Sequence, residues 1–407
     1  WAASALLVAP KLRRFGALTV ADYVGTRFAS EGARTLAAVL IIVCYSILLT
    51  AQFQAIGEIA SAVFGVSPML AMGALLASTG FYTALGGVRS SSYIEFVQTL
   101  VMLLALVCAV PVVIAHVGGI TALGEYVGSI EPRMTAWWFS GKELLAFGLA
   151  FGLGIAAAPY EMTRYYSMRD VATVRYAIGI SMAMQVLIGT CVMLLGIGIR
   201  GVFPYLPSPD QASSIMASTL MSPLLGSLFL MAMLSAIMST VNSILLVTGG
   251  AFAHDLYKRL INPAASDQRL VWVNRLSIVA LAVIPFWMAT LKLGDVQAIV
   301  IEQAKFIASF FFVPVVFGLN WRRGTKQGAI WSMVVGFVAC LTWTFTLQRS
   351  FASHGIDSVE VGVVLSALAF VVVSRLTPPT PEKNLAVFFQ ARQGADPSGS
   401  NIAKLMP

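Results

Sequence analysis

The chain has 407 residues, of which 58% are hydrophobic and only 11% charged, with a mean hydropathy of +0.83. A soluble protein of this length carries about a quarter charged residues, and a membrane β-barrel needs short alternating strands that are not seen here, so the composition points to a polytopic α-helical membrane protein. The net charge of +8 does not call for nucleic acid, because Lys and Arg concentrate in alternate loops, as they do on the cytoplasmic side of membrane proteins.

The chain opens on Trp1, and Trp1 to Pro10 is an apolar stub too short to cross a bilayer. We expect an N-terminally truncated sequence whose stub is the cytoplasmic end of a helix, with no readable signal peptide. A basic segment follows, with Lys11, Arg13, Arg14, Arg27 and Arg34. Apolar runs of the length a helix needs to span lipid then predict ten spans, near 37–60, 68–86, 96–117, 144–158, 176–199, 224–253, 276–291, 296–319, 328–347 and 359–374. The basic loops between them hold Arg89; Arg164, Arg169 and Arg175; Lys258, Arg259 and Arg269; and Arg322, Arg323 and Lys326. The opposite loops carry few basic residues, chiefly Arg133, Lys142, Arg200, Lys292 and Arg349. Two of these loops, near 118–141 and 200–223, have room for short surface helices. Residues 1–376 form one transmembrane domain in this reading, and 377–407 a polar cytoplasmic tail without fixed structure.

Cys44, Cys108, Cys191 and Cys340 all fall in apolar spans, where cysteine acts as a small hydrophobe. His116, His254 and His354 are scattered, and no zinc, P-loop or nucleophile-elbow motif is present. Hydrolytic and phosphoryl-transfer chemistry has no support, and no cofactor is expected.

The fourth span is unusual. Leu144 to Pro159 contains three glycines and ends Ala-Ala-Ala-Pro, which predicts a helix interrupted near Pro159 and continuing to about residue 165. A discontinuous helix frees backbone groups at membrane depth and is the best sequence pointer to a transporter site; a simple kink at Pro159 is the alternative. In the sixth span, Ser239, Asn242 and Ser243 fall at helical i, i+3, i+4 spacing, so their oxygens share one face. Such a face suits a hard cation or a polar solute, or it serves only close helix packing. Glu95, at the start of the third span, is a buried carboxylate needing a partner or an interfacial one that stays hydrated. Glu302 and Lys305 lie three apart and are expected to pair structurally. Gln52 and Gln54 face a possible internal cavity, with Glu58 at the outer interface.

Several stretches resemble the sodium:solute symporter family, spread over nearly the whole chain. They are Leu18 to Phe28, Gly86-Gly-Val-Arg89 with Tyr93 to Gln98, Pro159 with Arg164, and Ala236-Ile-Met-Ser-Thr240. Asp255-Leu-Tyr-Lys258, Phe306 to Phe310 with Pro314, Gly318 to Arg323 and Gly328-Ala329 complete the set. The resemblance implies a LeuT-like five-plus-five inverted repeat, here lacking the first core helix and most of the second, with the last two spans peripheral.

It also implies a multi-pass protein of the plasma (inner) membrane, C-terminus cytoplasmic, whose partners are the lipid bilayer, Na⁺ and a small organic solute. Ala236 through its carbonyl, and Ser239 and Thr240 through their hydroxyls, match half of the family's Na⁺ site. Glu95, Asn242 and Ser243, with Ser239, match a second Na⁺ site found in some members, with Glu in place of Asp and Asn in place of Ser. Solute would sit near Phe151 and Ile155, under Gln52 or Gln54. Proline-specific members carry Trp and Tyr at those first two positions, so a monocarboxylate or similar acid is expected, with proline or pantothenate as alternatives. A transporter-like sensor domain is the less favoured reading, since the tail holds no signalling module.

Overall fold

The computed structural model describes residues 7–16, 19–130, 132, 140–347 and 355–389, with side chains for all of these except 14, 84–90 and 387. The first part of the stub, Leu18, Arg133, Arg349, His354 and the tail beyond Phe389 lie outside the described residues, as do the side chains of Gly86-Gly-Val-Arg89.

The helices run α1 Ala9–Phe15, α2 Val20–Phe28, α3 Glu31–Phe64, α4 Pro68–His116, α5 Ile120–Ile130, α6 Gly141–Ala157, α7 Pro159–Ser167, α8 Val171–Val202, α9 Ala212–Thr219 and α10 Pro223–Gly250. A π-helical extension, Ala251–Ile261, continues α10. Then come α11 Asp267–Thr290, α12 Val296–Asn320, α13 Lys326–Thr342, α14 Ser358–Leu376 and α15 Glu382–Phe389. Their starts are written in the sequence. Thr19, Ser30, Ser67, Ser140, Asp170, Ser222, Ser266, Thr325 and Asp357 each accept a backbone N–H of the first turn, which satisfies one of the four donors that a helix N-terminus leaves bare.

Nine helices among the described residues are long and apolar enough to cross a bilayer, and the molecule is a multi-pass membrane protein. The tenth expected span, near 68–86, is not a separate element. Residues 68–116 are helical throughout, 49 residues in all, or roughly 73 Å if straight. They are not straight. Thr83 and Ser91 both bond the one Asn242 amide, although eight residues of straight helix would set them about 12 Å apart. The axis therefore turns between them.

α3 and α12 form the interior, with 61% and 72% of their most apolar stretches buried against 22–33% in the other spans. α12 packs on α3, α6, α13 and α14. Close approach there depends on small residues: a Cβ on Gly336 or Gly362 would run into Ser309, and the Ser332 and Ser366 hydroxyls hydrogen-bond at 2.8 Å. This is the packing chemistry of helices in lipid, where small groups let backbones meet.

At the basic end, Arg27 is fully buried. It donates to the carbonyls of Gly318 (2.5 Å), Trp321 (2.9 Å) and Gly324 (3.5 Å), which are the acceptors left open where α12 ends. Burial lowers the pKa of its guanidinium. The tail corrects an expectation. Residues 382–389, taken as unstructured because the stretch looks polar, form α15. The reason is amphipathicity: Leu385 is buried, and the Phe388 ring sits 4.7 Å from Phe15 and 5.6 Å from Tyr23. Asn384 donates to the Thr26 carbonyl (2.8 Å) and Glu382 pairs with Arg322 (2.5 Å).

Candidate functional site

The interruption in the fourth span is a true break and not a kink. α6 opens on a capping box, Ser140 with Glu143, and ends at Ala157; Ala158 is extended (φ −65°, ψ 120°), and α7 restarts on Pro159. Proline bars its predecessor from helical geometry and brings no N–H of its own. The amide of Tyr160 finds the Tyr45 hydroxyl on α3 instead (3.2 Å). Above the break, Gly154 lets α6 lie directly on α12, since a Cβ there would come within 3.0 Å of the Ala304 carbonyl oxygen.

Beside this break runs α10. At its middle, Ser239 Oγ (2.8 Å) and Thr240 Oγ1 (3.2 Å) both donate to the Ala236 carbonyl, so three oxygens cluster on one turn. All three residues are half-buried, although Leu234 and Val241 on either side are buried. One turn further, Ser243 accepts a hydrogen bond from Arg164 Nη2 on α7 (2.9 Å). The oxygen-bearing face of α10 is thus turned toward the broken helix and away from lipid.

A second polar cluster lies at that next turn. Glu95 Oε1 accepts from Asn242 Nδ2 (2.9 Å), Ser243 Oγ (2.9 Å) and Ser91 Oγ (3.3 Å), while Glu95 Oε2 pairs with Arg164 Nη2 (3.1 Å). Asn242 Nδ2 also meets Ser91, and Thr83 Oγ1 donates to Asn242 Oδ1 (2.6 Å). The structure therefore brings Glu95, Asn242 and Ser243 together as the sequence led us to expect. It adds Thr83, Ser91 and Arg164, which the sequence reading did not assign. Ser91 stands one helical turn before Glu95, so that spacing was a usable signal; Arg164 is 69 positions away and gave none.

The expected solute contacts divide. Gln54 is taken up by other bonds: its Nε2 donates to the Gly294 carbonyl (2.8 Å) and to Asp210 (3.2 Å), whose carboxylate also receives the Val296 amide at the start of α12. Phe151 stacks on Phe147 (centroids 4.7 Å apart) and packs with Ala150, Ala308 and Val359, between α6, α12 and α14. Gln52 lies about 200° around the helix from Gln54 and is half-buried. Ile155 is half-buried, and its carbonyl accepts the Ala158 amide at the break itself (3.2 Å).

Away from this centre, Lys305 joins Glu302 as expected and also Asp357 on α14, each at 2.9 Å. Glu58 pairs with Lys292 (2.6 Å).

A family model described as the sodium:solute symporter family matches residues 1–336. Among curated proteins, the chain is 28% identical to the osmoregulated proline transporter OpuE of Bacillus subtilis, covering 94% of this chain and 80% of that protein. It is 27% identical to the sodium/proline symporter of Haemophilus influenzae (95% and 81%) and 27% identical to that of Escherichia coli (91% and 76%). A solved structure of a Na⁺-coupled sialic acid symporter, substrate-bound and outward-open, superposes with a TM-score of 0.74 over 93% of this chain and 81% of that one, at 16% identity. That likeness is one of fold, the LeuT-like helical arrangement.

Proposed function

This chain belongs to the sodium:solute symporter family, a transporter and not an enzyme, and on that premise we propose that it imports a small amino acid of the proline type with Na⁺ bound at Ala236, Ser239 and Thr240. The observation that carries this reading is the trio of clustered, half-buried oxygens on α10, on the face whose next turn bonds the broken helix. Two hydroxyls that now donate to the carbonyl can rotate their protons away and offer three oxygens to a hard cation, the ligand type such ions prefer. The solute sits at the break, where Ala158 leaves the helical path, with Ile155 and Gln52 as its nearest walls. Bound there, Na⁺ and solute favour a common conformation, and the inward cation gradient drives net uptake. Each charge crossing about 100 mV contributes about 2.3 kcal/mol.

The proline-type solute replaces the monocarboxylate expected earlier. That expectation leaned on Phe151 and Ile155 differing from proline-specific members. Phe151 packs against α12 and α14, and the proline transporters among the relatives favour the amino acid. We assign the protein to the plasma membrane, its basic end and C-terminus in the cytoplasm, following the Lys and Arg distribution.

Proteoliposomes holding the purified full-length protein test this directly. An imposed inward Na⁺ gradient should drive accumulation of radiolabelled proline, with little competition from lactate, pyruvate or pantothenate. Uptake indifferent to Na⁺ removes the coupling assignment. Na⁺-driven uptake of a monocarboxylate in place of proline removes the solute assignment alone.

A further inference from the structure

The carboxylate of Glu95 already has a cation. Arg164 reaches it from α7 at 3.1 Å, through the same Nη2 that bonds Ser243 (2.9 Å), and three further donors converge on its other oxygen. Glu95 keeps 16% of its side chain exposed and Arg164 47%, so water reaches the pair from the arginine side. A glutamate is one methylene longer than an aspartate, and the guanidinium presents five donors in a fixed fork. Two of the pocket's groups, the Glu95 carboxylate and the Ser243 hydroxyl, thus engage a positive charge supplied by the protein.

We propose that Arg164 is the resident cation of this pocket, standing where a second Na⁺ would otherwise bind, so that the protein couples one Na⁺ to each solute. This rests on the Na⁺-symport reading above. Without the guanidinium, the cluster would present the Glu95, Ser91 and Ser243 oxygens together with an uncompensated carboxylate charge. Such a group attracts a small hard cation. With it, the pocket's charge is matched and a free ion gains little. Arg164 also rides on the helix that starts at the break. The pair therefore ties α7 to α4 and α10, and movement of α7 that stretches the contact beyond ~4 Å ends it. Arg164 is in this sense a positioning residue as well as a counter-ion.

The test is equilibrium binding of ²²Na⁺ to the purified full-length protein, which needs no knowledge of the solute. Native protein should bind one Na⁺ per chain. Arg164→Gln should bind two, with the Hill slope of Na⁺ activation rising from 1 toward 2, and Arg164→Lys should stay at one. Adding Glu95→Gln to Arg164→Gln should return the count to one, a dependence that a merely structural arginine would not produce. Arg164→Gln protein that folds and still binds a single ion overturns the proposal. If that variant does not fold, Glu95→Gln alone decides: a count held at one supports the proposal, whereas loss of an ion shows Glu95 to be a Na⁺ ligand in the native protein and overturns it. Native protein that binds two ions also overturns it while leaving Na⁺ symport intact; native protein that binds none removes the symport reading itself, and this inference with it.

Discussion

Replacing Ser239 with alanine should separate ion binding from folding. In the ion-free helix the Ser239 hydroxyl only returns a bond to its own backbone, 2.8 Å to the Ala236 carbonyl. Such back-bonding does not strengthen a helix, and alanine is the better helix former by about 0.5 kcal/mol. The melting temperature without Na⁺ should therefore hold steady or rise slightly. With Na⁺, the same change removes one of three local oxygens from the cation. Taking a contact to a charged group as about 1.5–3 kcal/mol, and about 1.4 kcal/mol per tenfold, the apparent Na⁺ affinity should fall roughly 10- to 150-fold. Thr240→Ala should act in the same direction, and Thr240→Ser, which keeps the hydroxyl, should restore most of the affinity. The assays are the Na⁺ dependence of initial uptake rates and the Na⁺-induced thermal shift of the purified protein. A Ser239→Ala variant whose half-saturating Na⁺ stays within twofold of native would refute the assignment. So would one whose ion-free stability collapses, because the hydroxyl would then be structural.

Lys305→Met leaves Glu302 and Asp357 facing each other without their shared cation. Breaking a buried pair costs about 3–5 kcal/mol, reduced here to roughly 2–3 because both carboxylates keep some contact with water; thermal unfolding in detergent measures it, and adding Asp357→Asn should recover part of the loss. Arg27→Gln gives up at least two of three charge-assisted bonds to the end of α12, at about 1.5–3 kcal/mol each, and should lower the melting temperature more than Arg27→Lys does. Gly154→Leu forces α6 off the Ala304 carbonyl; overpacking of this kind costs about 1–3 kcal/mol and, next to the break, should reduce uptake rate more than it reduces stability. Asp170, the cap of α8, has its carboxyl held down at about 2, first by the Thr173 amide and then by the Thr173 hydroxyl and Arg169. Its folded value lies below the ordinary one, so its contribution is present at neutral pH and fades as pH falls from about 4 towards 2; acid titration of hydrogen exchange at Thr173 should show it.

Local features were legible in the sequence to the extent that one turn of helix contains them. The break before Pro159, the shared face of Ser239, Asn242 and Ser243, and the Glu302–Lys305 pair all rest on residues within five positions of each other. What escaped the reading depends on distant contacts. Asp357 completes the Lys305 pair from 52 residues away, and Asp210 claims Gln54 from 156 away; no local pattern announces either. The turn within α4 and the docking of α15 failed for a related reason. Gly86-Gly87 suggests an end of helix, and Glu382 to Phe389 suggests a solvated tail, until one knows what lies opposite: Asn242 in the first case, Phe15 and Tyr23 in the second.

The distribution of these long-range contacts bears on which parts can move. α12 is fixed twice: by Arg27 at its C-terminal end, and by Lys305, near its middle, bridging to Asp357 at the start of α14. Its face toward α13 and α14 is close-packed through Gly336, Gly362 and Ser309, where any sliding would force backbone collisions. α7 is held by a mixture of buried side chains and polar bonds. Nine residues long and preceded by an extended Ala158, it buries Met162 in the main core and Tyr165 against Ala9, Val174 and Ile178, and adds the polar contacts of Tyr160 to Tyr45 and of Arg164 to Glu95 and Ser243. Hydrogen bonds that water can replace cost little to exchange, whereas interdigitated side chains do not yield by degrees. Any swing of α7 against α12 therefore has to draw Met162 and Tyr165 out of their packing as well as break the polar bonds, and the Arg164 contact is where the α10 cation site would register it.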